Sequence, residues 1–324
     1  MTDTTLATPA RDRMAFLGDP RLLRKALPAV SLVAILIAIF VLNERAMSYR
    51  GLDLMLKYAV PIAFATIAQM FILTVNDLDL SIGAFVGLVA CIAGTWLVDQ
   101  PVLCILILAG CIASYAAIGA LIHMRRLPSI VVTLGMSFVW LGIAVILMPT
   151  PGGMVPDWLK ALMSWKPPLV PFPIIACLVI ALVAHVLLME SSYGAVLRGA
   201  GGNATAIDRA GWSLLRIRMS MYALAGFFGV LSGLSLIGLT TSPDAHIADR
   251  YTLLSIAGVI LGGGEFVGGR VSPIGAVIGA VTLVLTGSFL IFMRISPDWQ
   301  IGAQGAVLIV VLALRALIKL REAK

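Results

Sequence analysis

The sequence predicts an all-α polytopic membrane protein of about ten transmembrane helices, some of them interrupted, with N- and C-termini cytoplasmic. Three observations predict it. Sixty per cent of the 324 residues are hydrophobic and 12% are charged, where a soluble domain carries about 25% charged residues. The apolar residues fall in helix-length runs along the whole chain. The basic residues are shared unevenly between alternate joints, as loops on the two sides of a membrane are.

Each span is justified by an apolar run and the joint that ends it. The first, 27–43, follows a polar tail through Lys25. It lies too deep and runs too long for a signal-peptide core, and no A-x-A site follows, so it is read as a retained span. The second and third, 58–75 and 80–98, meet at Asn76-Asp77-Leu78-Asp79. The fourth, fifth and sixth are 101–122, 128–148 and 171–189, and the seventh is 219–240. The eighth, 251–263, is short and ends in Gly262-Gly263-Gly264, and the ninth and tenth are 272–293 and 299–318. With the N-terminus inside, 16 of the 23 Lys and Arg residues fall on the inner side and 7 on the outer, which places both ends in the cytoplasm. The domain organisation follows: a tail over 1–26, a transmembrane domain over 27–320 that includes a cytoplasmic loop at 190–218, and a C-terminal end at 321–324. The segment 149–170 carries Trp158 and Trp165 beside Lys160 and Lys166 among four prolines at 149, 151, 156 and 167 and a fifth at 168. It reads as an interfacial helix or anchoring loop on the outer surface.

The net charge of +7 is assigned to inner loops. No basic stripe interleaves with exposed aromatics, which excludes nucleic acid as a partner. The four cysteines, Cys91, Cys104, Cys111 and Cys177, lie in apolar runs without C-x-x-C spacing, so they are packing residues. No cofactor is expected.

Three segments could carry function. Asn76, Asp77, Asp79 and Ser81 interrupt apolar material, and a charge at mid-bilayer costs about 2.5–3.5 kcal/mol. Three readings stand for them: Asp79 caps the following helix, the residues contact solute or ions, or they help gating. In the loop, Gly201-Gly202 breaks the chain, Asn203 caps a short helix over Ala204–Ala210, and Gly211 ends it. Such a helix is too short to stand alone. It either connects two spans or docks into a partner, with Trp212 as an apolar contact. Gly264-x-x-x-x-Gly269 has P-loop spacing, but Arg270 and Val271 follow instead of Lys and Ser/Thr, so no nucleotide site is assigned. Gly262, Gly263, Gly268 and Gly269 instead permit close helix approach or an interrupted, moving span. Enzyme signals are thin: there is no H-E-x-x-H, Ser232-Gly233 with His246 makes a poor hydrolase pattern, and no second aspartate cluster accompanies Asn76-Asp77-Leu78-Asp79.

These motifs together resemble the permease subunits of bacterial ATP-binding-cassette importers for simple sugars, the ribose/xylose/galactose type. Asp79-Leu80-Ser81-Ile82-Gly83 is similar to that family's D-L-S-V-G, and Pro128–Gly135, with Thr133, to its P-x-F-I-x-T-L-G. Gly202-Asn203 with Ala206, Ala210 and Gly211 resembles its G-N-x-x-A-A-x-x-S-G loop. Leu261-Gly262-Gly263, Gly268-Gly269 and Gly275-x-x-x-Gly279-Ala280 resemble its glycine region. The resemblance implies a permease subunit in a bacterial cytoplasmic (inner) membrane that forms the pathway for a monosaccharide or similar small polar solute. The implied partners are a second permease subunit (a copy or a paralogue), two ATPase subunits, a periplasmic solute-binding protein and membrane lipid. Gly201, Gly202, Asn203, Ala206, Ala210, Gly211 and Trp212 would couple to the ATPase. Asn76, Asp77, Asp79, Ser81, Thr133, Gly262, Gly263, Gly268 and Gly269 are candidates for translocation or gating. The chain departs from the pattern at Thr205, Ile207 and Trp212, at Leu141-Gly142, and at Asn76-Asp77, which replaces a glycine-rich approach. A related permease for branched-chain amino acids or nucleosides is the alternative, followed by a proton-coupled carrier using Asp77 or Asp79.

Overall fold

The structure, a computed structural model, describes residues 20–240, 242–266 and 268–295, with single positions between 299 and 313. The expected tail 1–26 lies mostly outside these residues, and so do the tenth span and the end 321–324.

The helices follow the apolar runs and stop where capping chemistry demands. α1 (Pro20–Leu42) begins inside the expected tail. A 3-10 turn, Glu44–Met47, is capped by the side chain of Asn43. Ser48 then caps α2 (Tyr49–Leu56), so the expected outer joint 44–57 is itself helical. α2 buries only Met55 and Leu56 and meets α3 (Ala59–Thr74) at a 42° bend. Every residue of α3 except Phe64 is buried, and the core sits around it. α4 (Ile82–Trp96) has 15 residues, about 22 Å at 1.5 Å per residue, short of the roughly 30 Å hydrocarbon layer. α5 (Pro101–Arg125) starts with proline in its first turn, where the missing N–H has no helical partner to lose, and ends on Arg126 in the left-handed region.

α6 (Ser129–Leu147) is followed by α7 (Asp157–Met163). α7 lies in the segment read as interfacial. Its Leu159 and Met163 press on Gly238, while Trp158 and Trp165 stay exposed. α8 (Phe172–His185) runs into a π-helical turn, Val186–Glu190. Ser191 then caps α9 (Ser192–Gly202), an additional helix in the expected loop. Gly201 and Gly202 therefore do not break the chain: they are the last two helical residues. The reason is packing, since a Cβ on Gly201 would collide with the Thr74 carbonyl and the Gly269 backbone. A short helix, α10 (Ala204–Arg209), follows, its N-cap Asn203 accepting the Ala206 N–H at 3.0 Å. Gly211, at φ +86°, turns the chain into α11 (Leu214–Thr240).

α11 is the longest helix among the described residues and packs on α3, α4 and α5. α12 (Tyr251–Leu261) and α13 (Pro273–Phe292) form a hairpin against α3. The two helices meet backbone to backbone where Gly262 faces Gly275 and Gly258 faces Gly279, the close approach that small residues allow between membrane helices.

Among the described residues the fold is all-helical, without strands. Five helices are long and apolar enough to cross a membrane, or six if α2 and α3 make one bent span. Three more apolar segments, Ala26–Leu42, α4 and α12, are shorter. Shortness here marks interruption: α4 and α12 each begin or end at one of the irregular segments described next.

Candidate functional site

The irregular segments converge at one end of the bundle. The joint Val75–Ser81 leaves α3 and enters α4. Asn76 sits at φ +62°, one of three non-glycine residues described with positive φ. Asparagine tolerates this region better than most side chains. Its carboxamide nitrogen donates to the Gly201 carbonyl at 2.7 Å, and its oxygen accepts the Gly268 N–H at 2.9 Å. One side chain thus ties the joint, the end of α9 and the glycine loop between α12 and α13. Gly268 and Gly269 both adopt positive φ, and a Cβ on Gly269 would meet the Arg198 carbonyl.

Asp77, nearly buried, faces Arg218 in the second turn of α11. The guanidinium forks onto it, Nε to Oδ2 at 3.0 Å and Nη2 to Oδ1 at 3.2 Å. Tyr222 also donates to Oδ2, at 3.2 Å. Burial pushes the Asp77 carboxyl above the usual carboxylate range, and Arg218 and the Tyr222 hydroxyl pull it part of the way back.

Asp79 is fully buried. Oδ1 accepts the Ser81 N–H at 2.7 Å and the Ser81 hydroxyl at 2.6 Å, and Oδ2 accepts the Tyr115 hydroxyl at 2.8 Å. In the amide orientation that satisfies both groups, Gln69 pairs the Asp79 carbonyl and N–H. Asp79 therefore braces the joint and does not cap α4. The Gly83 N–H in the first turn of α4 is met by the Thr252 hydroxyl at 3.0 Å, from α12. Thr133 receives the Leu80 N–H at 3.1 Å and donates to the Leu78 carbonyl at 3.2 Å, and Ser129 receives the Leu78 N–H at 3.2 Å. α6 thus holds the outer edge of the joint. Tyr115 in turn stacks on Trp140 and tilts against Phe85.

α10 touches this packing through Ile207, which is half-buried beside Gly199 of α9. No residue of it is buried, and Asn203, Ala206, Ala210, Gly211 and Trp212 are all exposed. Trp212 lies against Tyr193 of α9, ring centres 5.9 Å apart.

The structure therefore brings Asn76, Asp77, Asp79, Ser81, Thr133, Gly201 and Gly268 into one cluster at the base of α10. Gly262 instead belongs to the α12–α13 contact, and Gly263, at φ +102°, to the turn after α12. Among the described residues, no group of three or more His, Cys, Asp or Glu stands close enough to hold a metal ion.

Residues 51–312 match the family described as the branched-chain amino acid transport system / permease component. The chain belongs to this permease family. The permease is 27% identical over 303 residues to the probable ABC transporter permease protein YphD of Escherichia coli K12, covering 90% of each chain. It is 24% identical over 293 residues to the ribose import permease protein RbsC of the same strain, covering 86% of this chain and 90% of that one. It is 29% identical over 283 residues to the autoinducer 2 import system permease protein LsrC of Shigella flexneri, covering 84% and 80%. No solved structure matches it. It is the permease subunit of an ATP-binding-cassette importer and not an enzyme, since ATP hydrolysis in such systems occurs in separate subunits.

Four residues of the permease's cluster carry no mark in the sequence pattern: Gln69, Tyr115, Arg218 and Tyr222. Arg218 counts there only as an inner-side charge. The tyrosines and Gln69 sit in apolar runs, where a polar tip that needs a buried partner is their one available signal.

Proposed function

We propose that this permease forms the translocation pathway for a monosaccharide or similar small polar solute in a bacterial cytoplasmic membrane. The observation that carries the reading is the likeness to a ribose import permease along nearly the full length of both chains. Two permease subunits enclose the pathway, two ATP-binding-cassette subunits dock beneath, and a periplasmic binding protein delivers solute from outside. Residues 27–320 act as one permease domain of ten spans with both ends in the cytoplasm. The end of the bundle bearing α9 and α10 then faces the cell interior. The exposed helix around Asn203–Gly211 is a docking element for the ATPase, and Trp212 supplies an apolar contact beside it. α6, 17% buried and the least buried of the long apolar helices, is available to lipid or to the second permease subunit. The family's description names branched-chain amino acids, which supports a second solute class. Asp79 and Ser81 favour the sugar class, and a thermal-shift screen of the associated binding protein with both classes separates them.

The docking element is tested by pull-down. Ala206→Arg with Gly211→Trp places a charge on the exposed face and a bulky residue at a left-handed turn. The double variant is expected to lose its ATPase subunits while remaining folded in the membrane. Co-purification at the native level would reject the docking role.

A further inference from the structure

We propose that Asn76 and Asp77 form a two-pronged clamp that makes α10, the α3–α4 joint and the glycine loop move as one unit. The inference rests on the reading of Asn203–Gly211 as the ATPase docking element. The chain enters that element through Gly201 and leaves it through Arg218, and consecutive residues of a distant joint hold both limbs. Asn76 bonds the entering limb at Gly201, and Asp77 forks with Arg218 on the leaving limb.

Side-chain chemistry explains these residue types. A carboxamide donates and accepts at once, which is what joining the Gly201 carbonyl to the Gly268 N–H requires. An Arg–carboxylate fork fixes orientation as well as distance. Behind the prongs, the absence of side chains at Gly201 and Gly269 lets the three backbones touch. Two residues beyond the clamp, Asp79 hands the connection to Ser81 and Tyr115, and so to the start of α4 and the middle of α5. α10 buries none of its own residues, and its half-buried Ile207 rests beside Gly199 on the entering limb, so its limbs are the route by which a push on it reaches the bundle.

A direct solute contact is the competing role for these two residues. Their four side-chain polar atoms are already engaged by protein groups, which leaves them positioning residues.

The test uses the full complex, permease with its ATPase subunits, in nanodiscs. The native cysteines are all buried, so spin labels go selectively to introduced sites. One pair, Thr205→Cys with Phe266→Cys, spans α10 and the glycine loop. A second, Thr205→Cys with Asp99→Cys, spans the two ends of the bundle. Distances are measured nucleotide-free and after trapping with ATP and vanadate. With Asn76 present, the first pair is expected to hold a single unchanged distance while the second shifts. Two variants break the prong. Asn76→Gly keeps the left-handed backbone and removes both bonds, and Asn76→Asp replaces the donor with a charged acceptor that faces the Gly201 carbonyl. Both are expected to keep the ATPase bound yet shift and broaden the first pair on trapping. Exchange of the Gly268 amide in Asn76→Gly is expected to rise about fivefold, the loss of roughly one hydrogen bond.

Three results overturn the clamp with docking intact. The first pair shifts in the native complex as it does in the variants, the variants keep the native distances in both states, or the second pair never shifts. Failure of the ATPase subunits to bind the native chain overturns the docking reading and the clamp together.

Discussion

Gly275→Leu is expected to dismantle the α12–α13 hairpin. A Cβ at Gly275 meets the Gly262 carbonyl, and one at Gly262 meets the Gly275 backbone in return. One turn along, a Cβ at Gly279 meets the Gly258 carbonyl. The obstacles are main-chain atoms, so no rotamer change relieves them, and the two helices have to separate. Overpacking costs about 1–3 kcal/mol where side chains can yield, and more where they cannot, so the effect belongs at or above the upper end. The measurement is thermal unfolding in detergent followed by size-exclusion chromatography: the midpoint falls and the monodisperse peak is lost. Gly275→Ala shifts the midpoint in the same direction by less. Gly135→Ala is the control, because a Cβ there has nothing within 4 Å. It is expected to be neutral or slightly stabilising, since alanine has the better helix propensity. Equal midpoints for Gly275→Leu and Gly135→Ala would show that the hairpin is looser than the structure indicates.

The second large effect is at Arg218. Arg218→Ala leaves the Asp77 carboxylate nearly buried with a hydroxyl in place of a guanidinium. Breaking a buried ion pair by removing one partner costs about 3–5 kcal/mol. The Arg218 side chain keeps 25% of its surface exposed, which sets the expected loss near the low end, about 3 kcal/mol. The double variant Asp77→Leu with Arg218→Met removes both charges, and it should recover most of that stability. The pair of measurements separates two roles. Stability returns in the double variant if the single loss came from the stranded charge. Coupling between α10 and the joint does not return, because the fork is gone. A double variant as unstable as Arg218→Ala would mean that the shape of the site, and not its charge balance, holds the leaving limb.

Much of this architecture was legible in the apolar runs. Each of the five long apolar helices coincides with one, because a helix crossing lipid is obliged to be apolar over its length, whereas α2 and α9 formed in segments that read as joints. The short helix after Asn203 was legible for a local reason: an asparagine cap and a left-handed glycine bracket it within nine residues. The cluster beneath it was legible only in part. Asn76, Asp77 and Asp79 stand out as polar residues in apolar surroundings, but Asp77 and Arg218 are 141 positions apart, and no local pattern pairs them. Gly201 shows the opposite failure. Its composition reads as a break, yet contact with Thr74 and Gly269 holds it inside a helix at the roughly 1 kcal/mol a helical glycine costs. Asp79 shows a third. Its spacing from Ile82 suits a cap, but burial brings Tyr115 to it and leaves the capping to Thr252. In each case tertiary packing overrode a sound local preference.

The most direct test of the whole arrangement is the side of the membrane on which α10 stands. Thr205→Cys puts a single reactive thiol on its exposed face, in a chain whose own cysteines are buried. In intact bacteria a membrane-impermeant maleimide is expected to leave that thiol unlabelled, and permeabilising the inner membrane is expected to make it react. Full labelling of Thr205→Cys from outside intact cells would contradict the topology, and the docking of an ATPase there along with it.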